Sequence, residues 1–130
     1  MENIKILLVE DDEDQVELIK RVFNMNMPDI ELLIASSIEK AKEVIGQHQD
    51  INLIISDLLL MDGKGIDILQ YSTNKIPLMI MTCYGDDKTQ QEALAKGAFA
   101  YLSKSDISAL DIPKIAVDLI NKWNIKKQNE

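Results

Sequence analysis

Five short runs, at residues 5–9, 31–35, 52–56, 77–81 and 99–102, are apolar at almost every position rather than at alternate ones. An alternating strand hides one face, whereas a strand that is apolar throughout must be covered on both. A parallel sheet with helices on either side meets that demand. Each run is followed by a stretch with helical spacing. Val16, Ile19, Val22 and Phe23 mark a first helix that Pro28 helps to end, and Ile38, Ala41, Val44 and Ile45 mark a second that stops near Gly46. Residues 65–71 and 86–96 predict a third and a fourth, with Gly97 as a C-terminal stop. Ile112, Ile115, Ala116, Leu119, Ile120 and Trp123 form the clearest apolar stripe, that of a fifth helix. Strand then helix, five times over, predicts an α/β fold with a doubly wound five-stranded parallel sheet and right-handed crossovers. The 130 residues suffice for one domain, expected over residues 1–125, and the polar end at 126–130 reads as a frayed tail.

Charge narrows the function classes. The 22 acidic residues outnumber the 14 basic ones, giving a net charge of −8, which repels phosphate backbones and anionic lipid surfaces. Neither nucleic-acid nor membrane binding by this domain is expected. The longest apolar runs, 6–9 and 77–81, fall far short of the roughly 20 residues of a membrane span, and the start of the chain lacks the basic opening of a signal peptide. Cys83 is the single cysteine, so no internal disulfide forms, and a reducing, cytoplasmic setting is expected. It reads as a small residue beside the site. His48 has no ligand partner at metal spacing and reads as a surface residue, and the six methionines read as core fillers.

In a parallel sheet every strand ends at the same edge, so residues just after the strands become neighbours. That edge collects Glu10 and Asp11 after the first run, Asp57 after the third, Thr82 after the fourth and Lys104 after the fifth. Open sheets bind ligands where strand order reverses, and in a 2-1-3-4-5 arrangement that crevice lies between strands one and three, where Glu10, Asp11 and Asp57 would meet. Three carboxylates and one ammonium leave two negative charges, which one Mg²⁺ with its preference for oxygen ligands would cancel. Asp57 could then stay ionised and attack phosphorus, with Lys104 and Thr82 serving the phosphoryl oxygens. Asp12, Glu13 and Asp14 read only as an acidic helix start, favoured by the helix dipole.

The succession LLVEDDED (7–14), IISDLLLMDGKG (54–65), IMTCYGD (80–86) and AYLSKSD (100–106) resembles the receiver domains of bacterial two-component response regulators over about residues 4–121. The resemblance supplies the strand order 2-1-3-4-5 of the flavodoxin-like receiver fold. It implies Asp57 as phosphoacceptor, Asp11 as a direct Mg²⁺ ligand, Glu10 as a ligand through water and the Leu59 carbonyl as the remaining protein ligand. Thr82 is implied as the switch hydroxyl, Lys104 as the phosphate-binding lysine, and Tyr101 as the aromatic that turns inward when Thr82 moves, reshaping the face of helix four, strand five and helix five. The donor implied is a histidine kinase or histidine phosphotransfer protein. The signal would pass to a downstream protein or to an output domain outside this chain, since none fits in the residues present. Self-association on phosphorylation is left open.

Two positions depart from the family pattern. Met61 stands where a proline often follows the phosphoacceptor, which loosens that loop. Ser105 follows Lys104 where a cis proline is usual, so either the fold imposes a costly cis bond or the loop takes another path and places Lys104 differently. Leu59 and Tyr84 occupy the positions that in this family tune loss of the phosphoryl group. Neither side chain can orient a water, so slow self-dephosphorylation is expected.

Other functions fit less well. A phosphorylation-independent adaptor would keep the face and lose the chemistry. A Mg²⁺-dependent phosphatase with an Asp nucleophile would carry it after the first strand as DxDx(T/V), whereas Glu10 here begins ExDxD. A flavin module needs a Ser-, Thr- and Gly-rich phosphate loop where this chain has five consecutive acids.

Overall fold

The computed structural model describes residues 3–73, 75–83 and 86–130. Strands β1 (Lys5–Val9), β2 (Glu31–Ala35), β3 (Leu53–Ser56), β6 (Leu78–Thr82) and β7 (Ala100–Ser103) form one sheet in the order β2-β1-β3-β6-β7. All its pairings are parallel. Among the strands of this sheet alone the order is 2-1-3-4-5. Two short strands not expected from the sequence, β4 (Leu59–Leu60) and β5 (Gly63–Lys64), make an antiparallel hairpin directly after the third sheet strand.

The near-continuous apolar runs are explained by two separate cores. Leu7, Val9, Ile54, Leu78 and Ile80 face one side, where α2 (Ile38–Gln47), a 3₁₀ turn at Gly65–Ile68, the single turn α3 (Leu69–Ser72) and α4 (Asp87–Lys96) cover them. Their strand neighbours Ile6, Leu8, Leu53, Ile55, Met79 and Met81 face the other side, beneath α1 (Glu13–Asn26) and α5 (Ile112–Gln128). Successive residues point to opposite faces and both faces are dry, so every position must be apolar.

Local signals set the helix ends. The side chains of Asp12, Ser37 and Asp86 accept from the backbone N–H groups of Asp14, Lys40 and Thr89, capping α1, α2 and α4. Gly97 closes α4 with φ of 120°, a conformation that suits a residue lacking Cβ.

The second helix ends at Gln47, one residue past Gly46, near where it was expected to stop. Three expectations need correction. The expected helix at 65–71 is a 3₁₀ turn followed by one α turn. The tail expected from Lys126 is helical as far as Gln128, because Lys126 and Lys127 lie at the favourable end of the α5 dipole and pack over Trp123, with Lys127 Nζ 4.6 Å from the ring centre. Met79 and Met81 are core residues, but Met25 and Met61 are exposed. Among the described residues no helix is long and apolar enough to cross a membrane.

Candidate functional site

The sheet register brings the expected residues to one edge. Glu10 follows β1 and its N–H donates to Ala35 O at 3.0 Å, while Asp57 follows β3 and its N–H donates to Val9 O at 3.2 Å, so the ladder carries both residues side by side past the strand ends. Thr82 is the last residue of β6 and fully buried. Lys104 follows β7, held by its own N–H on Thr82 O at 2.8 Å.

Lys104 ties the edge together. Its Nζ lies 3.3 Å from Glu10 Oε1, across 94 residues of sequence, and 3.9 Å from Asp57 Oδ2. Glu10 is 3% exposed. Burial pushes its carboxyl above the ordinary range and the charge of Asp57 adds to that, against the opposing effects of Lys104 and of the Asp12 N–H on Oε2. A neighbouring cation offsets the cost of burying a carboxylate, and Lys104 is placed to do so for Glu10. Asp57 Oδ1 accepts from Leu58 N at 2.7 Å.

Asp11 is brought to the same edge but engaged elsewhere. Its Oδ2 accepts from Met61 N at 3.0 Å, on the β4–β5 hairpin. Among the described residues no three carboxylate, histidine or cysteine groups gather closely enough to hold a metal ion as they stand. Glu10 and Asp57 converge on Lys104, whereas Asp11 faces the hairpin. The donor chemistry nonetheless suits Mg²⁺, since Glu10, Asp11, Asp57 and the main-chain carbonyl of Leu59 offer only hard oxygens and the carboxylates outnumber the single ammonium.

The loop after Lys104 resolves the question raised by Ser105. No cis peptide bond occurs among the described residues. The Ser103 and Ser105 hydroxyls lie 2.8 Å apart and share a hydrogen bond, and Asp106 N donates to Ser103 O at 3.0 Å, closing a turn that still delivers Lys104 to Glu10. Tyr101, on β7, is half-buried and packs against the α2–α4 core; its hydroxyl is buried and has no hydrogen-bond partner among the described residues. Burial, and then the charge of Asp86, push that hydroxyl's pKa above its ordinary value. Leu59 is 56% exposed beside the site, and Cys83 is exposed. Tyr84 lies outside the described residues.

Two residues here were not anticipated. Gly65 N donates to Leu58 O at 2.9 Å, and a Cβ at Gly65 would collide with the Asp57 carbonyl and sit 2.6 Å from Ser56 Oγ. Asp62 reaches α2, where the N–H of Ile38 and then that of Glu39 hold its carboxyl below the ordinary range. The Gly-x-Gly spacing at 63–65 was the available signal for a close backbone approach; nothing local marks the long-range role of Asp62.

A five-stranded doubly wound sheet carrying acids after strands one and three, a hydroxyl at the end of the fourth and a lysine after the fifth defines an α/β module with a charged strand-end edge. The sequence pattern of the response regulator receiver domain matches residues 6–112, and the chain belongs to that family. It is a receiver domain of two-component systems. It is 30% identical over 128 residues to the methanogenesis regulatory protein FilR1 of Methanothrix harundinacea, covering 95% of this chain and 29% of that protein. To the response regulator protein PilR of Pseudomonas aeruginosa it is 30% identical over 107 residues, covering 80% of this chain and 23% of the relative. The chain thus spans less than a third of the length of either curated relative. Among solved structures, a two-component response regulator from Clostridium difficile matches with a TM-score of 0.77 at 27% identity, over 92% of this chain and 97% of that one. A response regulator receiver domain from Clostridium thermocellum shares the fold, with a TM-score of 0.80 at 24% identity over 94% and 98% of the two chains.

Proposed function

We propose that Asp57 accepts a phosphoryl group from the phosphohistidine of a histidine kinase or histidine phosphotransfer protein. An Asp57 carboxylate oxygen attacks phosphorus in line with the leaving imidazole. The new O–P bond forms as the N–P bond breaks, and the histidine nitrogen keeps the electron pair and takes a proton. Lys104 meets the charge on the phosphoryl oxygens and the Thr82 hydroxyl donates to one of them. Glu10, Asp11, Asp57 and the Leu59 carbonyl are the residues that would hold Mg²⁺, which when bound would supply positive charge to the phosphoryl oxygens. The domain thereby catalyses its own modification, and the product is a signal.

The signal passes through Tyr101 to the face of α4, β7 and α5, changing which partner that face binds, whether a separate protein, an output domain or a second phosphorylated copy. Leu59, exposed over the site, screens the acyl phosphate from water, and self-dephosphorylation is slow. A reducing, cytoplasmic setting suits the chain's single cysteine. Beside Lys104, a pocket of about 180 Å³ lined by Leu18, Cys83 and Ile107 gives the donor an apolar surface to approach.

The observation that carries this reading is the Lys104 ammonium 3.3 Å from Glu10 and 3.9 Å from Asp57 at the strand-end edge. Incubation with acetyl phosphate and Mg²⁺ followed by intact-mass measurement tests it. The wild-type chain should gain the mass of one phosphoryl group and Asp57→Ala none; no gain by wild type would refute it. One observation favours the second reading, a phosphorylation-independent adaptor: the Asp11 carboxylate is engaged by Met61 N rather than gathered with Glu10 and Asp57. The same measurement decides between the two.

A further inference from the structure

The turn of the β4–β5 hairpin is fastened to a different element. Asp62 Oδ1 accepts from Ile38 N at 3.0 Å and Oδ2 from Glu39 N at 3.1 Å, across 24 and 23 residues. A helix opens with N–H groups that have no partner inside it. At α2 the Ser37 hydroxyl takes Lys40 N and the Ser37 carbonyl takes Ala41 N, so the two remaining donors of the first turn are those that Asp62 accepts. A carboxylate there also meets the positive end of the helix dipole.

Packing reinforces the attachment. Gly63 has φ of 152°, and a Cβ on it would lie 2.8 Å from Ile38 Cδ1, so the turn rests directly on the buried side chain that begins α2. On its other side the same hairpin donates Met61 N to Asp11 Oδ2 at 3.0 Å and carries Leu59, two residues beyond Asp57. The hairpin therefore spans from α2 to the acidic edge and is fixed at both ends.

We propose that Asp62 is a positioning residue for that edge: by anchoring the hairpin turn to the first turn of α2, it holds the Met61 amide against Asp11 and the Leu59 main chain in place beside Asp57. The inference rests on the reading of Asp57 as phosphoacceptor. Asp62 touches no reacting atom and acts only through the hairpin. An ordinary helix cap would stabilise α2 and do nothing at the edge, and that difference is measurable.

Wild type, Asp62→Ala, Asp62→Asn and Ser37→Ala are compared by hydrogen–deuterium exchange and by the Mg²⁺ dependence of labelling with acetyl phosphate. Ser37→Ala removes another cap of the same helix without touching the hairpin. Asp62→Ala should speed exchange across residues 57–65 by about ten-fold and raise the Mg²⁺ concentration at half-maximal labelling by about three-fold or more. Asp62→Asn, which keeps one acceptor oxygen, should fall between it and wild type. Ser37→Ala should loosen residues 37–41 alone and label as wild type does. Unchanged exchange or unchanged Mg²⁺ dependence in Asp62→Ala, or an equal effect of Ser37→Ala at 57–65, overturns the proposal. If wild type acquires no phosphoryl group, the acceptor reading fails on its own account, and the exchange comparison still decides whether the tether exists.

Discussion

Replacing Gly65 by Ala tests how the end of β3 that carries Asp57 is shaped. The added Cβ would overlap the Asp57 carbonyl oxygen and lie 2.6 Å from Ser56 Oγ, which itself donates to Asp57 O at 2.9 Å. The first obstacle is backbone, so no rotamer change relieves it, and the 3₁₀ turn has to lift off β3 by about 1 Å. Overpacking of this kind costs about 1–3 kcal/mol, and an immovable neighbour puts Gly65→Ala near about 3 kcal/mol. A domain of this size has about 5–15 kcal/mol to lose, so the variant folds, with Tm lowered by roughly 10 °C. Displacing Asp57 by a fraction of that lift should slow acetyl phosphate labelling by about ten- to a hundred-fold. Gly46→Ala is the matched control. Beyond its own helix turn, no described residue lies within 4 Å of its added Cβ, near the end of α2, and helix propensity alone should stabilise it by about 0.5–1 kcal/mol. Urea denaturation and labelling rates of both variants provide the assay. Gly65→Ala as stable as wild type and labelling at the same rate would refute the argument that close backbone contact fixes Asp57.

Three other outcomes follow from the same geometry. Lys104→Ala leaves Glu10, with its side chain 2% exposed, and Asp57 without their cation, and in the absence of Mg²⁺ should cost about 2–3 kcal/mol in urea denaturation, below the full loss for a buried pair because Asp57 keeps some solvent contact; a variant as stable as wild type would show that the ammonium does not neutralise the edge. Tyr101→Phe removes a buried hydroxyl that has no partner among the described residues, so its stability should be unchanged or rise by up to about 1 kcal/mol, and a loss of that size would mean the hydroxyl is hydrogen-bonded after all. Leu59→Asn should shorten the lifetime of phosphorylated protein, followed by intact mass after removal of the donor; decay at the wild-type rate would count against screening by Leu59.

The sheet was legible in the sequence because its strands lie between two apolar cores, which imprints continuous runs such as Ile6 to Val9 and Leu53 to Ile55. Edge residues were legible for the same reason, since a parallel sheet brings whatever follows its strands together. The hairpin was not, because LLL at 58–60 carries no alternation and each strand is only two residues long. The long-range cap by Asp62 escaped because the partner amides stand 23 and 24 residues upstream, beyond any local pattern. The engagement of Asp11 by Met61 N escaped likewise, 50 residues away, and it separates one carboxylate from the expected trio. The end of α5 was missed because its apolar stripe thins out after Trp123, while lysine and glutamine extend a helix without contributing to that stripe.

If the carboxylate of Asp57 itself becomes an acyl phosphate, treating the acetyl phosphate-labelled protein with borohydride reduces it to the corresponding alcohol, and peptide mapping then reads the site. Homoserine at position 57, dependent on Mg²⁺ and abolished by Asp57→Ala, is the predicted result. Reduction at any other acidic residue, or an intact aspartate at 57 in protein that carries phosphate, would contradict it.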